Sequence, residues 1–211
     1  MFRLLDWLPG EWIRRAEART ALPIADLEDP VDPDRDHIRG GPDAAVTLVE
    51  YGDYECPYCG KAEGPIRELL ERFDGNLRFV FRHLPLADVH PNANLAAEAA
   101  EAASAQGKFW QMHDLLLSRQ DHLQLPDLIR YAVELGLDVE AFQEGLNRGR
   151  FAPRVARDVE SAELAGAAGT PSFFINDRRY AGAYDAESLA TALRNAKREA
   201  SSRVGASAVA R

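Results

Sequence analysis

Several things are scarce in this chain, and each scarcity excludes a class. Only two of its 211 residues are cysteine, Cys56 and Cys59. Two thiols that close enclose almost no loop, so a disulfide-stapled secreted scaffold is excluded. No run of 18 apolar residues occurs, so no transmembrane helix is expected. Positive charge is in deficit: Lys plus Arg is 25, Asp plus Glu is 34, and the formal net charge is −9. That balance argues against a nucleic-acid or anionic-membrane binder. The opening stretch is broken by Asp6, Pro9 and Glu11 and lacks the apolar core of a secretory signal, so a cytoplasmic location is expected. No internal repeat is visible. What is present is ordinary for a globular domain, with 46% hydrophobic and 28% charged residues. The length suits one domain with an insertion or a tail.

Periodicity divides the chain. Residues 1–22 can form an amphipathic helix around Trp7, Trp12 and Ile13. Residues 26–36 carry Asp26, Glu28, Asp29, Asp32, Asp34 and Asp36 with Pro30 and Pro33, which reads as an extended linker. The first 40 residues are therefore expected to be an extension outside the domain. Ala45–Tyr51 reads as a buried strand. A helix follows from Cys56-Pro57 to about Asp74, with Ile66, Leu69, Leu70 and Phe73 on one face. Leu77–Arg82 alternates as a second strand, so residues 41–91 hold a strand–helix–strand unit. Residues 92–166 read as five helices, an all-helical insertion on a small sheet. The sheet resumes over 167–198: strand Ser172–Ile175, a tight turn at Asn176-Asp177, a partner strand at Arg179–Ala181 and a last helix capped by Asp185. Residues 199–211 are small and polar, and disorder is expected there.

The chemistry centres on Cys56-Pro57-Tyr58-Cys59. The motif follows a strand and opens a helix, where unpaired N–H groups and the macrodipole lower the pKa of the first thiol. Two intervening residues bring the second sulfur within bonding reach. Half of a zinc site is one alternative, but the five His (37, 83, 90, 113, 122) offer no companion pair at finger or ribbon spacing. Two inert buried thiols are the other. Gly169-Thr170-Pro171 lies just before a strand, where proline costs no ladder bond. Alone it reads as a turn. Beside a C-x-x-C, a cis Thr170–Pro171 bond would aim the Thr170 backbone at the sulfurs, where it can pair with an extended peptide. Glu50 interrupts an apolar strand six residues before Cys56. It reads either as an edge position or as a buried acid able to exchange a proton with Cys59. His113 lies on an apolar helix face and reads as a satisfied core residue; no catalytic role falls to His83, His90 or His113.

Together these segments resemble the DsbA-like branch of the thioredoxin superfamily. The resemblance is carried by Glu50–Cys59, Phe81–Leu86, His90-Pro91, Phe109–Asp114 and Gly169–Ile175, and spans roughly residues 43–196. It implies an α/β thioredoxin fold with an inserted all-helical subdomain. It implies a protein dithiol–disulfide oxidoreductase with Cys56 as exposed nucleophile, Cys59 as resolving thiol, Glu50 as the buried acid and Pro171 as the cis-proline. Pro57, Tyr58 and Thr170 would bind substrate. The implied partners are protein thiols and disulfides and a redox recycling partner, with no cofactor, metal or nucleic acid. No membrane association is expected, and the chain is expected to be a monomer. Asp29–Gly40 also resembles the join found where such domains follow bacterial Na⁺/H⁺ antiporters. The Pro-Tyr dipeptide resembles that of glutaredoxins rather than the Pro-His of strongly oxidising members, which implies a weaker oxidant.

Two other functions compete with turnover. A redox-sensing regulatory or interaction module would bind a partner according to the Cys56–Cys59 state, with little catalysis. A zinc protein would hold the metal through both cysteines.

Overall fold

The computed structural model describes residues 26–209. Five strands form one mixed sheet in the order β1-β3-β2-β4-β5. β2 (Val46–Gly52) is buried at every position, as its run of apolar and β-branched residues requires for a central strand. β3 (Leu77–His83) lies parallel to it, with Glu50 opposite Phe81 and Tyr51 opposite Arg82. The crossover between them is α1 (Pro57–Phe73), with Pro57 in its first turn, where no N–H is needed. Ile66 and Leu69 of α1 are buried, a burial contributing about 1.5–3 kcal/mol each. Asp74 ends the helix in the left-handed region at φ 40°, and Gly75 follows at φ 75°.

Five helices leave and re-enter the sheet between β3 and β4: α2 (Ala93–Ser104), α3 (Phe109–Ser118), α4 (Leu125–Glu134), α5 (Val139–Asn147) and α6 (Ala152–Leu164). The buried face of α2 is largely alanine, including Ala96, Ala99, Ala100 and Ala103. With only methyl groups there, α3, α5 and α6 approach it closely. β4 (Ser172–Ile175) pairs antiparallel with β2, and β5 (Arg178–Tyr180) with β4. Asn176 and Asp177 both take positive φ, 45° and 68°, the signature of a two-residue I′ turn. α7 (Ala186–Val209) closes the fold against α1 and the sheet. Its Asp185 carboxylate accepts the Ser188 N–H at 2.9 Å, a first-turn cap.

Three expectations change. The acidic stretch does not hang free of the domain. β1 (His37–Gly40) pairs antiparallel with β3, so the sheet begins at residue 37 and not after residue 40. Ahead of it Leu27 is buried, and Asp36 is paired with the fully buried guanidinium of Arg82. That internal cation neutralises Asp36 and also binds the Asp29 and Pro30 carbonyls, which folds the stretch onto the sheet. The tail is not irregular either, because α7 continues to Val209. An Ala- and Arg-containing run without proline propagates a helix already nucleated by packing. The third concerns Glu50: it is 2% exposed on central β2, which rules out the edge reading. The proposed helix over residues 1–22 lies outside the described residues.

Candidate active site

The C-terminal end of β2 turns through Asp53–Glu55 into the first turn of α1, and the turn delivers both sulfurs. Cys56 is the N-cap residue of α1 and carries no side-chain cap of its own. Its Sγ therefore sits at the positive end of the helix with unpaired N–H groups nearby. Cys56 and Cys59 are unbonded thiols, 3% and 1% exposed, so the nucleophile that the resemblance implies to be exposed is largely covered, with Thr170 against its sulfur. Thr170–Pro171 is a cis peptide. Across from the helix, the Thr170 carbonyl oxygen lies 3.4 Å from Cys56 Sγ, and the Thr170 hydroxyl is buried without a partner. Pro57 and Tyr58 are exposed beside Cys56, Tyr58 at 55%. The structure thus gathers Cys56, Cys59, Pro57, Tyr58, Thr170 and Pro171 at one place.

The two thiols are electrostatically unequal. Cys56 is lowered to about 5, first by the hydrogen bond from Cys59 and then, against the cost of burial, by Thr170 and the main-chain N–H groups of Cys59 and Tyr58. The same hydrogen bond pushes the Cys59 thiol far up, and burial and the nearby Glu50 charge push it further. The Asp53 N–H donates to Cys59 Sγ at 3.4 Å, a weaker opposing contact. One sulfur is held as a thiolate and the other keeps its proton.

Glu50 lies beneath the sulfurs. Burial raises its carboxyl well above the usual range, the charge of Glu63 adds to this, and the neighbouring Cys59 thiol acts in the opposite sense. Its Oε1 has no hydrogen-bond partner. A buried acceptor left open is costly and is uncommon outside functional sites. Gly52 leaves it room: a Cβ there would run into the Phe81 ring and come within 3.1 Å of Glu50 Oε1.

Several surrounding side chains are not marked by the sequence pattern. Asp53 is 1% exposed. Its carboxylate accepts from the Glu55 and Leu86 N–H groups at 2.8 Å each and pairs with His90 Nδ1 at 2.7 Å. Burial alone would lower the His90 imidazole, but Asp53 outweighs it, with help from the charges of Cys56 and Glu55, and the net direction is up. Glu55 accepts from the Asn92 N–H at 2.6 Å and so ties the turn to the start of α2. Gln120, after α3, donates to the Tyr54 and Cys56 carbonyls. A polar residue beside an acid-rich turn could have drawn attention to Asp53. Nothing in the local pattern points to Gln120.

His113 is buried, with Nδ1 3.1 Å from the Tyr54 hydroxyl. His83 is buried against Glu101 at 2.8 Å, and His37 meets the same carboxylate oxygen at 2.7 Å. Burial alone would raise the Glu101 carboxyl, but the two imidazoles hold it well below the usual range. Among the described residues, His37–His83–Glu101 and Glu63–His113–Asp114 are compact enough to hold a cation. Neither group includes a cysteine. Arg154 lies 3.9 Å from Glu101, and Arg39 and Arg67 already pair with Glu63 and Asp114. His83 Nδ1 and His113 Nε2 are nonetheless left without a hydrogen-bond partner, so His113 is not the fully satisfied core residue expected from the sequence.

The comparisons agree with this geometry. A family model described as Thioredoxin matches residues 33–195. A thioredoxin-like oxidoreductase from Silicibacter pomeroyi DSS-3 is 33% identical at a TM-score of 0.68, over 79% of this chain and 94% of that one. Oxidised BdbD from Bacillus subtilis, 22% identical, shares the fold at a TM-score of 0.69 over 82% of this chain and 99% of its own. Among curated relatives, Na(+)/H(+) antiporter NhaA 1 of Salinispora arenicola is 54% identical over 93% of this chain but only 30% of its own length. The antiporter NhaA of Herminiimonas arsenicoxydans is 47% identical over 92% of this chain and 31% of its own length. The chain thus spans about 30% of the curated relatives it matches, which fits a thioredoxin domain joined to an antiporter. Among the described residues no helix is long and apolar enough to cross a membrane. With the family match running from ahead of β1 into α7 and enclosing both cysteines and Pro171, the chain belongs to the thioredoxin family, with a helical insertion between β3 and β4.

Proposed function

We propose that the chain is a protein thiol–disulfide oxidoreductase working through Cys56 and Cys59. The observation that carries this is the placement of Cys56 as the N-cap of α1, with Cys59 in the same turn and the cis Thr170–Pro171 peptide 3.4 Å from the Cys56 sulfur; the lowering of Cys56 and the raising of Cys59 agree with it. The Cys56 thiolate attacks one sulfur of a substrate disulfide. A Cys56–substrate S–S bond forms, the substrate S–S bond breaks, and the other substrate sulfur leaves as thiolate. That step removes the negative charge to which the Cys59 thiol donates, so the hydrogen bond holding the Cys59 proton is lost. The proton passes to the Glu50 carboxylate, a stronger base than an exposed carboxylate because its own pKa is raised. Cys59 then attacks Cys56, the Cys56–Cys59 bond forms, and the second substrate sulfur leaves. The substrate disulfide is reduced and the protein dithiol oxidised; the reverse sequence oxidises a dithiol.

Substrate polypeptide lies along Thr170, held opposite Cys56 by Pro171, and against the exposed Pro57 and Tyr58. An extended peptide pairing with the Thr170 backbone places its cysteine within reach of Cys56 Sγ. The role assignment predicts an asymmetry. Cys59→Ser accumulates mixed disulfides with a protein substrate, and Cys56→Ser accumulates none, as read by non-reducing gel and mass spectrometry. Equal trapping by both variants would sink the assignment.

A second reading has one observation behind it: the curated relatives are named as antiporters. In that reading the domain is a redox sensor, and the Cys56–Cys59 state sets its affinity for a membrane-protein partner. Robust reduction of a generic protein disulfide with partner affinity independent of redox state counts against the sensor. Negligible turnover with redox-dependent affinity counts against the enzyme.

A further inference from the structure

Gln120 belongs to the helical insertion, in the turn that follows α3, far in sequence from the cysteines. Its side-chain Nε2 donates to the Tyr54 carbonyl at 2.9 Å and to the Cys56 carbonyl at 2.7 Å. Both neighbours are acceptors, so the amide can face them only with its NH₂ group, which places both its protons. The Cys56 carbonyl is also the first acceptor of α1, taking the Cys59 N–H at 3.1 Å and the Gly60 N–H at 3.2 Å. One side chain therefore closes over the backbone on either side of Glu55 and at the residue that bears the reactive sulfur. A second observation is independent of those bonds. Gly60 carries no side chain where Gln120 lies, and a Cβ there would run into Gln120 Oε1 and come within 2.9 Å of its Cδ. Gly60 is the fourth residue of α1, where alanine has the higher helix propensity. The glycine leaves the amide its place.

We propose that Gln120 is a positioning residue for disulfide exchange, through which the helical insertion sets the electrostatics of Cys56. The inference rests on Cys56 being the exchanging thiol. The Tyr54 and Cys56 carbonyls belong to the turn that carries Cys56, and the negative ends of their dipoles disfavour a thiolate there. The Gln120 amide turns its positive N–H ends onto both and offsets them. Without the amide the thiolate is less stable, the reduced dithiol is less stable with it, and the equilibrium with a thiol buffer moves toward the disulfide. A carboxylate in the same place cannot donate and adds a full negative charge, so it moves both quantities further in the same direction.

The test is the pH dependence of Cys56 alkylation, together with the redox equilibrium against glutathione, on the whole chain. Gln120→Glu should raise the alkylation midpoint of Cys56 by about one pH unit and shift the glutathione equilibrium about tenfold toward disulfide. Gln120→Ala should do the same to about half that extent on the pH scale. Gly60→Ala keeps Gln120 but displaces its amide, and should match Gln120→Ala. Thermal unfolding identifies any variant whose change is a loss of fold, because a merely structural role lowers stability without moving the midpoint. A wild-type midpoint near 5, unchanged in Gln120→Glu and in Gly60→Ala, overturns the inference and leaves the exchange reading standing. A wild-type midpoint in the ordinary thiol range overturns the exchange reading and the inference with it.

Discussion

Glu50 and Arg82 occupy neighbouring strands one register step apart, yet they are treated in opposite ways. Glu50 pairs with Phe81 across β2 and β3, and Tyr51 pairs with Arg82. Successive side chains point to opposite faces, so Glu50 joins the α1 side and Arg82 the α6 side. Arg82 is fully buried with every donor nitrogen engaged. Its Nε and Nη2 grip the two Asp36 oxygens at 2.9 Å each, and Nη1 and Nη2 reach the Asp29 and Pro30 carbonyls at 2.8 and 3.1 Å. Nη1 also donates to the Tyr51 hydroxyl at 3.1 Å. Glu50 is as deeply buried and keeps one oxygen without a partner. A saturated buried charge fixes structure, whereas an unsaturated one stays free to exchange a proton. The same sheet carries both.

The largest expected effect breaks the saturated side. Asp36→Ala strands the Arg82 cation and should cost about 3–5 kcal/mol of stability, measured by urea unfolding. The Cys56 alkylation midpoint should stay where it was. Replacing Asp36 and Arg82 together with Leu and Met should recover much of the loss, because no orphaned charge remains. A midpoint that moves with Asp36→Ala would show the two faces to be coupled.

Next comes the unsaturated side. Glu50→Gln removes the proton acceptor but keeps the shape. Resolution of the mixed disulfide should slow by about 10²-fold, some 2.7 kcal/mol of barrier, read by stopped-flow or quenched alkylation. Stability should hold or rise, since a costly buried acid is gone. The pattern is therefore reversed from Asp36→Ala, and a large loss of stability would erase the contrast.

A smaller effect concerns pH. The thiolate of Cys56 is favoured in the folded dithiol, with its pKa lowered to about 5. A depressed acid stabilises the folded state fully above the unfolded thiol pKa, and the contribution disappears as pH falls through the folded value. The reduced form should lose stability relative to the oxidised form as pH drops toward 5, by parallel thermal melts.

The smallest effect belongs to His90. Its imidazole is raised by Asp53, so its contribution is complete below the unfolded pKa and fades as pH rises through the folded one. His90→Gln should cost about 1 kcal/mol or less, visible at pH 5.5 and vanishing by pH 9 in urea titrations.

Legibility in the sequence followed the range of the interaction. β2, α1, β3 and the β4–β5 hairpin announce themselves locally, through apolar runs, a helical stripe and Asn176-Asp177. Glu50 stood out because an acid in Val46–Gly52 has few places to go. β1 did not stand out: His-Ile-Arg-Gly is short and polar, and becomes a strand only by pairing with β3. The acidic stretch before it read as solvated because Arg82, the buried partner of Asp36, lies 46 residues downstream. Gln120 is the extreme case. Nothing in Arg119-Gln120-Asp121 distinguishes it from a surface turn until the fold brings it to residues 54–56.

The clamp on Arg82 also shapes how the sheet would bear mechanical load. A pull applied at residue 26 first meets buried Leu27, whose N–H is bonded to the Asp177 carbonyl in the β4–β5 turn at 2.6 Å. It then meets the bonds from Arg82 to Asp29, Pro30 and Asp36, and the shear-loaded pairing of β1 with β3. Force entering there is divided between the two edges of the sheet, and β2, which leads to Cys56, is loaded only through its neighbours.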